Sequence, residues 1–479
     1  MAFETLLVKV KNAVSNSFDS VRTSKPNLLK KPSFKFSKRP AVGVLAFEIA
    51  GLMSKLLHLS QSLSDSSIIR LRNDAVSLEG VRKIVSDDES FLLSLVCAEF
   101  AENLRILVDS VSRLCLKCQD PNLRSFDPVF RGFANSGIDP NHWVLSGPKE
   151  TEACHKKMER YVTLTAALYK EMDELSVLES GLRKTLQHCN DTKEQKKAYE
   201  LQQKIFWKKQ EVKDLKDRSL WNRTFDSVVP MLVRTIFTVL ARIKHVFAIG
   251  NSFPSLSRSL SASALVYPSD QNQNTSCTSV SGPLKSPKVE DAHKNDSTTS
   301  GFFESHCNLL NPPPNTLGAA ALALHYANLI MVMEKMIKSP HLVGLEARDD
   351  LYAMLPDSIR SSLRSRLKGV GFFASDAVLA GEWRDALGRI LGWLSPLAHN
   401  MIKWQSERSF EQQNMVQKSN NVLLLQTLFF ANKEKTEAAI TELLVGLNYI
   451  CRFEREMTAQ ALFQCANLNL PGLLNLQKP

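Results

Sequence analysis

Cys115 and Cys118 form a C-x-x-C pair, the spacing that opens many zinc sites. A structural zinc ion takes four ligands, and no second pair follows. Cys154, His155 and His142 lie within reach but at irregular spacing, so two cysteines three apart on an apolar helix read as packing residues. Asp87, Asp88 and Glu89 gather three carboxylates, as paired acid–base work requires. They stand just before an apolar run, where a capping oxygen and negative charge suit the start of a helix. His325 sits in an apolar stretch with no nucleophile beside it and reads as a core histidine bonded to a neighbour. No G-x-S-x-G, H-E-x-x-H, phosphate-loop or G-x-G-x-x-G signature opens a helix, and Gly369-Val-Gly371 is only a fragment of one. The expectation is a protein that is not an enzyme and has no catalytic residue, no cofactor and no metal. An enzyme of unrecognised type would instead need a deep polar pocket around His325 and Arg348.

Two basic clusters are candidate contacts for an anionic surface. Lys30, Lys31, Lys35, Lys38 and Arg39 lie in a Pro-interrupted stretch, Thr23 to Pro40. Such a run attracts anionic lipid, serves as a nuclear-import signal, or is a solvated tail. Arg360, Arg364, Arg366 and Lys368 share one short helix after Pro356. They either complement the helix dipole or meet an acidic peptide, lipid head group or phosphate. Ser261, in Arg258-Ser-Leu-Ser, and Ser286, before Pro287, are candidate phosphorylation sites. A phosphate there adds about −1.5 to −2 charge. The formal charge is +11, but Lys and Arg do not interleave with aromatics in a folded module, which argues against nucleic acid.

The elements that must carry these residues are helical. Glycine is sparse at 19 of 479 residues, and no series of alternating strands with turn signals is present. The chain is read as all-α, a helical bundle with a long antiparallel coiled-coil-like hairpin, in two helical halves joined by a disordered Ser-rich linker. A basic amphipathic tail covers 1–40, an N-terminal helical domain 41–250 with the hairpin at about 151–249, a Ser/Pro/Asn-rich linker 251–315, a C-terminal helical domain 316–466 and a frayed tail 467–479. In the hairpin, Tyr161, Thr165, Leu168, Met172 and Leu175 alternate four- and three-residue steps, and Ala198, Leu201, Ile205, Val212 and Leu215 answer them. The second arm is expected to continue, kinked near Pro230. After Pro312 to Pro314 a helix is expected from Asn315 or Thr316 to Ile337, with Leu317, Leu324, Asn328, Met331 and Met336 on its buried face. Gly318 would let a neighbouring helix approach it. Further helices are expected near Ala377–Leu394, Pro396–Ser419 and Asn421–Phe430.

The nine cysteines are scattered, and no secretory pattern precedes them, which points to a reduced intracellular setting. Val228 to Ile249 is interrupted by Pro230, Arg234, Arg242, Lys244 and His245, so no transmembrane helix is expected. The compartment expected is the nucleus or the cytoplasmic face of the plasma membrane.

TLGAAALALHYANLI followed by RDDLYAMLPDSIRSSLRSRLK resembles the C-terminal domain of a plant family built from two domains of unknown function, the PSK simulator family. AVGVLAFEIAGLMSKLLHLSQSLSD, AVSLEGVRKIVSDDESFLLSLVCAEFAENL and KKMERYVTLTAALYKEMDEL resemble its N-terminal half. The resemblance implies growth promotion in signalling by the peptide hormone phytosulfokine, and carries over no catalytic residue. Ala2 follows Met1 where the named members resemble myristoylated proteins, so the chain is similar to the branch without that acceptor. The leading expectation is a regulatory or adaptor protein with protein partners, of unknown oligomeric state. The alternative is a peripheral membrane protein acting at the plasma membrane or in trafficking through its basic N-terminus.

Overall fold

The computed structural model describes residues 41–187, 192–247, 301–368, 374–408 and 422–468. The basic tail 1–40, with Lys30, Lys31, Lys35, Lys38 and Arg39, lies outside the described residues, as do Ser261, Ser286 and the linker over 248–300.

Entry into the first helix is set by backbone pairing. Val42 N–H donates to the Arg223 carbonyl at 2.7 Å and Gly43 N–H to that of Trp221 at 2.9 Å. Gly43 has φ +58°, left-handed backbone that glycine adopts without a Cβ clash. Helix α1 (Leu45–Ser62) then buries Ile49, Met53, Leu56 and Leu59 along one stripe. Ser64 caps α2 (Asp65–Arg70), which runs on as a π-turn, Leu71–Val76, before α3 (Glu79–Ile84). Helix α4 (Glu89–Cys115) begins where Asp88 accepts from the Ser90 N–H at 2.9 Å, the capping role expected of that acidic trio. Its 27 residues make a rod of about 40 Å, whose buried positions extend from Leu92 to Cys115.

The stretch 118–150 holds two helices, α5 (Pro121–Arg124) and α6 (Phe126–Ser136). Its aromatic anchors all converge on one ring. Phe133 stacks on Phe237 at 4.8 Å, while Trp143 and Phe130 meet it edge-on at 5.1 and 5.4 Å. The hairpin is α7 (Pro148–Gln187) and α8 (Thr192–Arg218). The second arm does not continue through Pro230. It stops at Arg218, and α9 (Phe225–Val246) is a separate helix. Ser219 and Leu220 turn inward instead, with Leu220 N–H donating to Thr165 Oγ1 at 3.4 Å.

Past the undescribed linker, α10 (Phe302–Leu309) already forms within 301–315 and lies along α4. The helix expected from Thr316 starts later, as α11 (Ala323–Lys338). Residues 315–318 are instead paired at long range. Leu317 N–H donates to the Ala431 carbonyl at 2.9 Å, Gly318 N–H to that of Phe429 at 2.8 Å, and Lys433 N–H to that of Asn315 at 2.8 Å. Counting the helical phase from Leu317 therefore misplaced the face: Tyr326, Ala327, Leu329, Ile330 and Met333 are buried, whereas Leu324 and Asn328 are exposed. Gly318 serves a backbone approach rather than helix packing, since a Cβ there would stand 2.5 Å from the Phe429 carbonyl oxygen.

Helices α12 (Leu345–Met354) and α13 (Asp357–Leu367) follow. Helix α14 (Ala377–Arg408) runs straight through Pro396, where two helices were expected, and α15 (Lys433–Leu468) completes the described chain. Of the run expected as a third helix, Asn421–Phe430, the described residues from 422 on continue to Asn432 as a strap with a single 3-10 turn at Leu424–Gln426. It buries Leu424, Leu425, Leu428, Phe430 and Ala431.

The residues on either side of the linker share one core. Glu99 of α4 accepts the Leu424 N–H at 2.8 Å, and Asn432 N–H donates to the Ile84 carbonyl at 2.7 Å. Gly80 of α3 lies so close to α14 that a Cβ would stand 2.3 Å from the Trp393 carbonyl oxygen. Lys83 places its ammonium 5.0 Å from the Trp393 ring centroid.

Candidate functional site

The signature segments meet in a polar knot on the C-terminal half. Tyr326 is fully buried on α11, and its hydroxyl donates to Glu437 of α15 at 2.7 Å. Ser358, at the start of α13, donates to the same carboxylate oxygen at 2.9 Å. Burial and then the Glu437 carboxylate push the Tyr326 phenol up, which keeps it a neutral donor. Beside it, the His325 ring Nε2 donates to the Met354 carbonyl at 2.9 Å, tying α11 to the end of α12. That is the neighbour-bonded histidine the sequence describes. Three elements distant in sequence are thus fastened through one carboxylate, a coupling that neither helical periodicity nor spacing reveals.

A second fastening joins α11 to α14. Burial would raise the Glu334 carboxyl, but hydrogen bonds from Lys338 and His399 hold it down at about 2. His399 Nε2 donates to it at 2.7 Å and Lys338 at 2.8 Å.

The basic residues of α13 stand beside this knot. Arg360 donates to the Ala353 carbonyl at 2.9 Å and to Asp357 at 3.4 Å. Arg364 donates to the Tyr352 hydroxyl at 2.7 Å, and both guanidiniums lie over the Tyr352 ring. Arg366 reaches Glu442 of α15 at 2.7 Å. Lys368 is exposed at the end of the ridge. Two of the four therefore order the α12–α13 turn and a third ties α13 to α15, while their outer edges face solvent.

Cys115 and Cys118 are both buried, and Cys118 Sγ donates to the Leu114 carbonyl at 3.8 Å. Burial pushes both thiols up to about 12, away from the nucleophilic thiolate form. Cys154, a suggested companion, is turned to Thr235 on α9 at 3.8 Å. Near Cys115 an open depression of about 320 Å³ is lined by Asp109, Ser112, Arg124, Phe126 and Asp127. It is separate from His325 and Arg348, neither of which lines it.

The hairpin closes around a thin seam. Ala198, Ile205 and Val212 of α8 are buried against α7, with Lys208 bridging Glu171 and Glu174 and Lys209 pairing with Glu179 at 2.9 Å. Tyr199, Phe206 and Trp207 stay exposed, the first two one heptad apart on the outside of α8, a spacing that the sequence reading passed over. Among the described residues, no helix is long and apolar enough to cross a membrane.

Comparison with known proteins fits this geometry. A domain of unknown function, DUF3475, matches residues 44–100, and a protein of unknown function, DUF668, matches residues 316–403. The first covers α1 to the middle of α4, and the second runs from the Thr316 pairing into α14. Protein PSK SIMULATOR 1 of Arabidopsis thaliana is 27% identical over 434 residues, 88% of this chain and 57% of that protein. PSK SIMULATOR 3 of the same plant is 26% identical over 86% of this chain and 57% of its own length. PSK SIMULATOR 2 is 25% identical over 88% and 61%. The chain thus spans about three fifths of the length of these curated relatives. No solved structure matches. Neither the domain descriptions nor the relatives' names assign a reaction. The chain is a homologue of the plant PSK simulator proteins, carrying the N-terminal and C-terminal domains of unknown function paired in that order.

Proposed function

We propose that this chain is a non-enzymatic regulatory or adaptor protein that promotes plant growth, in a role related to phytosulfokine signalling and exercised through protein partners. The observation that carries the reading is the collinear likeness to PSK SIMULATOR 1 over 434 residues, which takes in both domain segments and the hairpin between them. The polar groups of the signature segments support it as well. Tyr326, Glu437, Ser358 and His325 bond to one another or to backbone and act as fasteners. Within this reading, the outer edge of Arg360, Arg364, Arg366 and Lys368 is the part of the C-terminal half suited to an acidic partner segment.

The test is expression of the full chain in Arabidopsis thaliana plants lacking PSK SIMULATOR 1, with root growth measured with and without the peptide hormone. Restored growth is expected. A chain that accumulates but leaves growth at the mutant level contradicts the role. Tyr326→Phe tests the non-enzymatic part: growth should still be restored, and its loss from a variant with unchanged melting would point to chemistry at that hydroxyl.

A further inference from the structure

The depression beside Cys115 gathers opposite charges that do not pair with one another. One wall is the C-terminal end of α4, where Asp109, Ser112 and Leu116 fall on one face at three- and four-residue steps. Across from it stand Arg124 of α5 and Phe126 and Asp127 at the start of α6. Arg124 uses only its Nε, which donates to the Cys118 carbonyl at 2.7 Å, and its two terminal nitrogens meet no partner among the described residues. Each carboxylate is half used as well. Asp109 Oδ2 accepts from Arg105 at 3.2 Å and Asp127 Oδ2 pairs with Arg131 at 3.1 Å, but neither arginine lines the depression, and the second oxygen of each aspartate is unbonded. Among the described residues, no ion pair joins Arg124 to Asp109 or Asp127. The Ser112 hydroxyl is buried without a hydrogen-bond partner, a state that native structures seldom leave unexplained.

We propose that this depression binds a small zwitterion, a free α-amino acid with an apolar side chain. The lining selects the class by what the alternatives leave unmet. A simple anion faces two aspartates, and a simple cation leaves Arg124 and Ser112 without acceptors. A molecule that carries both charges answers all four groups. Its carboxylate takes the Arg124 fork and gives the Ser112 hydroxyl an acceptor, while its ammonium takes the unbonded oxygens of Asp109 and Asp127. The side chain lies along Leu116, 67% exposed, with Phe126 and Cys115 behind it. A volume of about 320 Å³ stands at the lower end of small-molecule pockets, which limits the ligand to single-residue size. The mouth is open to water, so the charge pairs are screened and dissociation falls in the millimolar range.

The test is saturation-transfer NMR on the full chain with L-leucine, L-leucinamide and N-acetyl-L-leucine, each titrated to about 10 mM. L-Leucine should bind with a Kd of about 1 mM, and each analogue, which lacks one of the two charges, about tenfold more weakly or worse. Asp127→Asn should weaken L-leucine binding about fivefold or more while circular-dichroism melting stays unchanged, because its partner Arg131 is exposed at the surface. Arg124→Gln should weaken it as much, and Asp127→Asn remains decisive if loss of the bond to Cys118 disturbs folding. Absence of saturation transfer at the highest concentration overturns the inference. So does equal binding of either analogue, which would mean a site for a single charge, or L-leucine binding indifferent to Asp127→Asn, which would place it elsewhere.

Discussion

The junction between the two halves and the hairpin use helices in opposite ways. At the junction, α3, α4, α14 and the strap over 422–432 meet through buried side chains and backbone hydrogen bonds, with Gly80 and Gly318 drawn to within a Cβ's width of other backbone. The base of the hairpin packs on α1, with Met158 and Leu168 buried and Tyr169 against Phe47, but beyond it the hairpin buries a single narrow seam and closes it with surface ion pairs. Close packing makes the junction intolerant of added volume, whereas exposed ion pairs are worth only about 0 to 1 kcal/mol each. Stability therefore belongs to the junction, and freedom to vary or to meet a partner belongs to the hairpin.

The sharpest way to break this contrast is to fill the closest approach. Gly80→Leu should cost about 3 kcal/mol, read as a drop in the urea midpoint at constant slope, because the new side chain meets the Trp393 carbonyl and Leu397. A neutral result would mean that α3 and α14 do not touch in solution. Glu99→Ala should cost about 2 kcal/mol, since it leaves the Leu424 N–H buried without its acceptor.

A smaller effect is set by pH. The Glu334 carboxyl is held at about 2, below its ordinary value, so its contribution is fully present above about pH 4.5 and is lost as pH falls from there toward 2. Glu334→Gln should flatten the stability profile in that window and leave its shape at neutral pH unaltered. The smallest effect is expected in the hairpin. Replacing residues 176–203 with a short Gly-Ser turn should change the unfolding free energy of the rest by no more than about 0.5 kcal/mol. A large loss would show that the hairpin helps to hold the core.

Much of the frame was legible from residue pattern alone. The stripe of α1, the Asp88 cap and the seam residues Ala198, Ile205 and Val212 are local features, set by neighbours one or two turns away. The misreadings share a different cause. Thr316 looked like a helix start because the prolines before it are local, but the partners that hold it extended lie beyond residue 428. Leu423 to Phe430 looked helical because a short apolar run broken only by Gln426 and Thr427 has no clear period to contradict it. The candidate site divided the same way: His325 was readable as a bonded core histidine, while the Tyr326–Glu437 pair, 111 residues apart, was not.

The strap has a further consequence for synthesis. Glu99 leaves the ribosome 325 residues ahead of Leu424, the N–H it receives in the finished fold. At translation rates of about 5 to 20 residues per second, that interval is roughly 15 to 65 s. During it, the nascent N-terminal half must hold α3 and α4 with their junction faces uncovered, a window in which chaperones would engage the growing chain.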